Sequence, residues 1–250
     1  SKYCGFDQKT MYVWSAFVVS MDEYNKSKKM LLDLSISEEV LKKVEPGSIM
    51  EWFALSKYLR EKIRKTQENP DKLKFYIPLA VKAFLMSNNP YMAAKLVEFL
   101  ALTGCRFERY DLFEDALRLA EEMPETTRRD LNYSLSRMWF HWDPEEGIEA
   151  INRALSLGPP RNIDLLQILR ILLSIIVDRY KGYITKFLDI VREYSEKSYF
   201  ELLGEIIVRE ELHKYLPYGW IEKTIADASI GNKLMFLRGV LRHSFIKDIV

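Results

Sequence analysis

The stretch FHWDPEEGIEAINRALSLGPP, residues 140–160, supports two different interpretations. It places His141 two residues before Asp143, a pairing that a catalytic site could use. It also has an Asp143-Pro144 start, apolar residues at helical spacing and a stop at Gly158. Aspartate is a good helix N-cap, proline suits the first turn, and glycine suits the left-handed position after the last turn. The stretch therefore predicts one helix, with Asp143 as its cap rather than as a catalytic group.

The same helix start and stop signals recur along the chain and predict an all-α fold. Asn69-Pro70 and Asn89-Pro90 repeat the cap-and-proline start, and Gly104 and Gly231 follow apolar segments as expected C-caps. No alternating segment ends in an Asn-Gly or Asp-Gly hairpin turn. The predicted helices are 11–20, 22–34, 37–45, 47–66, 70–87, 90–103, 108–123, 126–142, 144–157, 162–180, 183–195, 198–213, 218–229 and 232–247. Pro78 is expected to kink or split the helix at 70–87.

The spacing of the prolines indicates a helical repeat. Pro90 to Pro124 is 34 residues and Pro124 to Pro160 is 36, and each interval holds two helices. A period of this length made of helix pairs is typical of solenoids. Segment 163–178 is apolar apart from one narrow stripe, so we expect it to be packed on most sides. The stripe consists of Asp164, Gln167, Arg170, Ser174 and Asp178.

Residues 126–160 resemble a tetratricopeptide repeat. The second-helix pattern of small, large, small and proline residues is matched by Gly147, Ile151, Ala154 and Pro159. In the first helix, Leu131, Ser134, Leu135 and Met138 stand at the positions of the W-x-x-L-G-x-x-Y motif. The resemblance implies antiparallel helix pairs stacked as a right-handed α-α superhelix.

The domain prediction is a single all-helical domain over 1–250. Residues 1–45 would form an N-terminal cap, 46–230 the stacked helical hairpins, and 231–250 a C-terminal capping helix. This last helix is expected to bury its large apolar residues on the preceding pair, because one helix pair cannot cover its own apolar face. Those residues are Leu234, Leu237, Leu241 and Phe245.

Composition favours a cytoplasmic protein without membrane insertion. The chain is 48% hydrophobic and 29% charged, with a formal net charge of +1, so no global field attracts nucleic acid or anionic lipid. Cys4 and Cys105 form no C-x-x-C pair, which argues against a disulfide framework or a thiolate zinc site. The apolar run 11–21 is shorter than the ~18 residues that span a bilayer. Three glutamines among so many charged residues hint at a thermophilic source.

No recognisable catalytic or cofactor motif is present, so we expect neither an enzyme nor a cofactor or metal site. Phosphate-binding glycine loops and the G-x-S-x-G elbow are missing, and His213 and His243 lack a metal-ligand spacing. Carboxylates cluster at 121–125 and 143–149, but these are helix ends, where acidic residues are usually solvated. An enzymatic alternative rests only on the general capacity of helical arrays to hold sites in their grooves.

The leading functional prediction is a non-catalytic protein–protein interaction module. The resemblance implies a concave groove that binds a peptide or helix of a partner protein, lined by first-helix residues. These are Arg129, Asn132, Tyr133, Ser136 and Phe140, with Arg137 at the edge. Their guanidinium, amide and aromatic groups suit an acidic or carboxylate-bearing ligand.

The alternative prediction is nucleic-acid binding through two basic faces, 57–65 and 233–247. Basic side chains interleaved with aromatic ones can bind phosphates and stack on bases. The residues are Lys57, Arg60, Lys62, Arg64 and Lys65 in the first face, and Lys233, Arg238 and Arg242 in the second.

Overall fold

The computed structural model describes residues 37–160 and 164–247 of the chain. Within these residues there are twelve α-helices and two short 3-10 helices, and no strand. The all-α prediction is therefore confirmed for the part that the structure describes. The helices predicted at 11–20 and 22–34 lie outside it.

The helix bounds follow the predicted segments closely. The first six helices are α1 (Glu38–Lys42), α2 (Ile49–Lys65), α3 (Pro70–Met86), α4 (Pro90–Arg106), α5 (Tyr110–Glu121) and α6 (Glu125–Trp142). The next six are α7 (Pro144–Ser156), α8 (Leu165–Arg179), α9 (Ile184–Tyr194), α10 (Glu196–Ile207), α11 (Trp220–Ala226) and α12 (Ile230–Lys247). The 3-10 helices are Lys181–Tyr183 and Glu210–Tyr215, and the second of them takes up the end of the helix predicted at 198–213.

Side-chain caps begin these helices where the sequence predicts them. The Asn69 and Asn89 carboxamide oxygens accept from the amides of Lys72 and Met92, at 3.0 and 3.2 Å. Each asparagine is followed by proline at the first helical position. The caps satisfy amides that have no partner within the helix. The predicted starts of α3 and α4 are confirmed.

The structure corrects three of these predictions. Helix α3 runs continuously through Pro78, so the predicted split is wrong. The C-cap predictions for Gly231 and Gly104 are also wrong, since Gly231 lies in the first turn of α12. Gly104 lies inside α4 rather than after it, and a Cβ there would meet the Phe113 amide nitrogen at 2.9 Å and the Arg109 carbonyl oxygen at 3.0 Å. Glycine is therefore needed for close contact with the start of α5, while the left-handed turn residue is Glu108, with φ 54°. At Gly158, φ is 96°, as predicted for a C-cap.

The chain divides into two compact units, with the boundary between Leu131 and Asn132 in α6. One continuous domain over 1–250 stays a prediction. In the first unit, α2 packs on α3, α3 on both α4 and α5, and α4 on α5. Helices adjacent in the chain thus contact each other, as in a helical repeat.

Ion pairs in the first unit connect one helix pair to the next. Arg109 Nη1 lies 3.1 Å from an oxygen of Asp71, and Lys74 Nζ lies 2.7 Å from an oxygen of Asp111. The partners are 37 or 38 residues apart, which is about one helix pair. Hydrogen bonds from Arg109 and then Lys74 lower the pKa of the Asp111 carboxyl well below its usual range. The side chains are partly exposed, so each pair adds little stability.

In the second unit, α9 packs against α7, α8 and α10, and α10 packs against α12. The stripe predicted on α8 is exposed at Asp164, Gln167, Ser174 and Asp178, whereas its Arg170 is only partly exposed. The opposite side of α8 is core, including Leu169, Leu172 and Ile176. The prediction that α8 is packed on most sides is confirmed.

Candidate functional site

Helix α12 packs closely on α10 at a place where each helix has a glycine facing the backbone of the other. Gly239 is buried, and a Cβ on it would overlap the carbonyl oxygen of Glu201. A Cβ on Gly204 of α10 would overlap the carbonyl oxygen of Phe236. Met235 and Phe236 pack beside this contact against the core of the second unit. Glycine on both helices therefore allows their backbones to touch, and so determines which side of α12 faces the core.

The opposite side of α12 presents a row of large apolar side chains to solvent. Ile230 is 80% exposed, Leu234 56%, Leu237 51% and Leu241 56%. At 3.6 residues per turn the four side chains fall within an arc of roughly 60° and extend over roughly 16 Å of helix. Gly239 lies roughly 170° from the centre of this arc. We call these four residues the apolar row of α12.

The prediction that these leucines lie on the preceding helix pair was wrong. Leu234, Leu237 and Leu241 point away from α10, and the side chain of Phe245 lies outside what the structure describes. The helix does pack on the helices before it, but with Gly239 and Asn232 inward. In the sequence, Gly239 and Asn232 on α12 and Gly204 on α10 indicate this orientation. The spacing of the leucines predicts the opposite orientation.

Three basic residues flank the apolar row. Arg238 is 61% exposed, and its Nε lies 3.5 Å from a Glu201 oxygen. Lys233 Nζ donates to the Ala226 carbonyl oxygen at 3.2 Å, and Arg242 is exposed. No Asp or Glu occurs between residues 230 and 247. The apolar row is therefore flanked by basic side chains of its own helix and by none of its carboxylates.

A nearly buried ion-pair cluster lies beneath α12. Arg170 of α8 contacts Glu205 through Nε at 2.5 Å and Glu201 through Nη2 at 2.6 Å. The Glu201 side chain is only 4% exposed and that of Arg170 17%. Arg170 is shared by two carboxylates, so Arg238 supplies the second cation of this cluster through its 3.5 Å contact with the nearly buried Glu201.

The structure separates the residues predicted to line a groove on α6. Tyr133, Ser136 and Phe140 are buried at 2%, 0% and 2% exposure, so none of them is open to a ligand. Tyr133 donates its hydroxyl to the Gly158 carbonyl at 3.0 Å, and the Phe140 ring lies against Gly147. Their role in the described structure is to join α6 to α7.

The remaining three groove candidates are partly buried. They are Arg129, Asn132 and Arg137. Arg129 lies 3.5 Å from Glu125 within the same helix. Without Tyr133, Ser136 and Phe140 these side chains do not form the aromatic and amide surface that the sequence predicts.

The basic face predicted at 57–65 is partly used in contacts within the protein. The ammonium groups of Lys57 and Lys62 lie over the rings of Phe53 and Tyr58, at 5.0 and 5.4 Å from the ring centroids. Partial burial lowers the pKa of both lysines, and the charges of Arg60 and Lys65, respectively, act in the same direction.

The exposed remainder of this face is small. It consists of Arg60, Arg64 and Lys65, of which Arg64 pairs with Glu61 at 3.1 Å. The 57–65 segment is therefore less open than its sequence suggests.

The candidates for catalysis have structural contacts. An Asp143 carboxylate oxygen accepts from the amides of Glu145 and Glu146 at 2.8 and 3.3 Å, as an N-cap does. His141 lies edge-on to Trp142. Glu145 and Glu149 both pair with Lys186, at 3.3 and 3.0 Å. The N-cap prediction for Asp143 is confirmed.

Other features of the described residues offer no clear ligand. Arg192, Lys223, Glu196 and Asp227 line a cleft of about 570 Å³ beside the turn before α12, and their charges cancel. Across 37–160 and 164–247, no group of three His, Cys, Asp or Glu side chains is arranged to hold a metal ion. None of the described helices combines the length and the apolar character needed to cross a membrane.

Comparison of the chain with protein-family models, curated proteins and solved structures finds no match. The fold is all-α with sequentially packed helices, and this arrangement is compatible with a helical repeat. Its most distinctive exposed surface is the apolar row of α12 with its basic flanks.

Proposed function

We propose that the protein is a non-catalytic interaction module, built from tetratricopeptide-like helix pairs, that binds a helix of a partner protein. One observation carries the proposal: four large apolar side chains form a single exposed row on a helix whose other side is anchored to the core. Contiguous exposed apolar surface of this kind is typical of protein-binding sites.

The geometry of the row favours a helical ligand. Its residues are spaced by four, three and four positions, which is the spacing of a seam between two packed helices. A partner helix with apolar residues at the same spacing would place its side chains between those of α12. The glycine contact with α10 supports this use, because it holds the row in a fixed direction.

Nucleic-acid binding through 57–65 and 233–247 stays the alternative prediction. It leaves the apolar row unexplained, and part of the first face is used in contacts within the protein. The interaction module accounts for the exposed leucines and is the function that we propose.

The test uses a fluorescein-labelled amphipathic peptide with leucines at the spacing of the row and only Gln and Ser at its other positions. We expect saturable binding to the full chain by fluorescence anisotropy, and loss of at least tenfold in affinity for Leu237→Glu. The matched control is Leu102→Glu, since Leu102 is 43% exposed on α4. Failure of the peptide to bind, or equal losses in both variants, would overturn the proposal.

A further inference from the structure

We infer that the helix bound by the apolar row of α12 is acidic, with carboxylates on both sides of its apolar seam. This inference rests on the proposed function and specifies the chemistry of the partner. It follows from the charges of α12, from their positions around the row, and from the exposure of Arg238 and Arg242.

The charge of α12 differs from that of every other α-helix that the structure describes. Each of the others contains at least one Asp or Glu, whereas α12 contains Lys233, Arg238, Arg242 and Lys247 and no carboxylate. The chain as a whole has a net charge of only +1. Helix α12 therefore has four positive charges and no carboxylate, whereas α2, the next most basic helix described, has five positive charges and two glutamates.

The described basic side chains lie on both flanks of the row. With 3.6 residues per turn, Lys233 is roughly 70° to one side of its centre, and Arg238 and Arg242 are roughly 70° and 110° to the other. Residues at such flanking positions contact the flanks of a partner helix and select its charge. Carboxylates on both edges of the partner seam would each meet a cation.

Two of these cations are largely exposed. Arg242 is exposed, and Arg238 is 61% exposed although it contacts Glu201 at 3.5 Å, a carboxylate that it shares with Arg170. Arginine can pair with a carboxylate through two parallel hydrogen bonds, which gives directional recognition. Arg242 can therefore pair with an acidic helix directly, while Arg238 can donate to a partner carboxylate from its position beside Glu201.

A second copy of the chain fits the row less well. Two α12 helices packed along their rows would place Lys233, Arg238 and Arg242 of each copy beside the other, in either orientation. Like charges at flanking positions oppose such pairing. The charges of α12 thus favour an acidic partner over self-association.

The test compares three peptides that share one leucine seam and carry Glu, Gln or Lys at the flanking positions. We expect the full chain to bind the Glu peptide at least tenfold more tightly than the Lys peptide at low salt. This difference should shrink as salt screens the charges. Arg242→Glu should reduce it at least threefold, whereas Arg60→Glu, an exposed cation on α2, should leave it unchanged.

The outcomes separate the two proposals. Equal affinity for the Glu and Lys peptides would overturn the acidic-partner inference while the interaction module stands, and failure of the Gln peptide to bind would overturn the module itself. A Glu peptide that binds equally well with its leucines replaced by serine would overturn the inference as well. So would self-association that Leu237→Glu abolishes, or binding of duplex DNA that Arg242→Glu abolishes and Leu237→Glu does not.

Discussion

The close backbone approach at Gly204 and Gly239 makes a strong prediction about stability. A Cβ introduced by Gly239→Ala would overlap the Glu201 carbonyl oxygen and lie 3.1 Å from the Glu205 amide nitrogen. These are backbone atoms, so no side-chain rotation can relieve the overlap. Helices α10 and α12 would have to separate, and the packing of Phe236 and the position of Glu201 would change with them.

The expected cost follows from two opposing effects. Overpacking a well-packed contact costs about 1–3 kcal/mol, and we take the upper end because the backbone cannot rearrange. Alanine in place of glycine inside a helix recovers up to about 1 kcal/mol. Gly239→Ala should therefore destabilise the second unit by about 2 kcal/mol. For a unit of this size this corresponds to a fall in Tm of about 8 °C.

The assay is urea and thermal unfolding followed by circular dichroism, with Gly231→Ala as the matched control. Gly231 lies in the same helix, and a Cβ there would meet only the Ser229 hydroxyl, at 3.9 Å. This control should stabilise the protein by about 0.4–1 kcal/mol, because it restricts only the unfolded chain. If Gly239→Ala were as stable as the unsubstituted chain, the two helices could not be in backbone contact and the direction of the apolar row would have no basis.

Two further predictions concern the ion-pair cluster and the disputed aspartate. Arg170→Met should destabilise the protein by about 3–5 kcal/mol in urea unfolding, since it leaves the nearly buried Glu201 and Glu205 without their closest cation; a loss below 1 kcal/mol would contradict this account. Asp143→Ala should cost about 1 kcal/mol by removing both N-cap hydrogen bonds, while Asp143→Asn should cost less, because asparagine caps as well as aspartate.

Helix starts could be predicted because their cause is local. Asn69, Asn89 and Asp143 each bond to amides two or three residues ahead, so the few residues around them contain the whole interaction. The packing of α8 was equally predictable, because its exposed polar stripe recurs along a single helix. In both cases the outcome depends little on which other helices are nearby.

The groove on α6 could not be placed in the same way. A step of one residue rotates a helical position by roughly 100°, so a small error in aligning a divergent repeat exchanges exposed and buried positions. Tyr133 and Phe140 then depend on their neighbours: Tyr133 bonds to Gly158, and Phe140 lies on Gly147 where a side chain would not fit. The repeat pattern correctly predicts a small residue at Gly147 of α7. It wrongly predicts that Phe140, whose ring lies on Gly147, faces the solvent.

Helix α12 shows why leucine periodicity alone does not determine which side of a helix is buried. Its row of leucines predicts an inward face, yet close approach to α10 is possible only through Gly239, which lies on the opposite side. Facing the leucines inward would put their branched side chains where the backbones now touch, while the present orientation keeps Met235 and Phe236 packed on the core. A helix with a glycine contact on one side and spaced leucines on the other has two packing surfaces. One is used within the chain, and the second, flanked by the exposed cation Arg242, is the surface on which a partner helix should be sought.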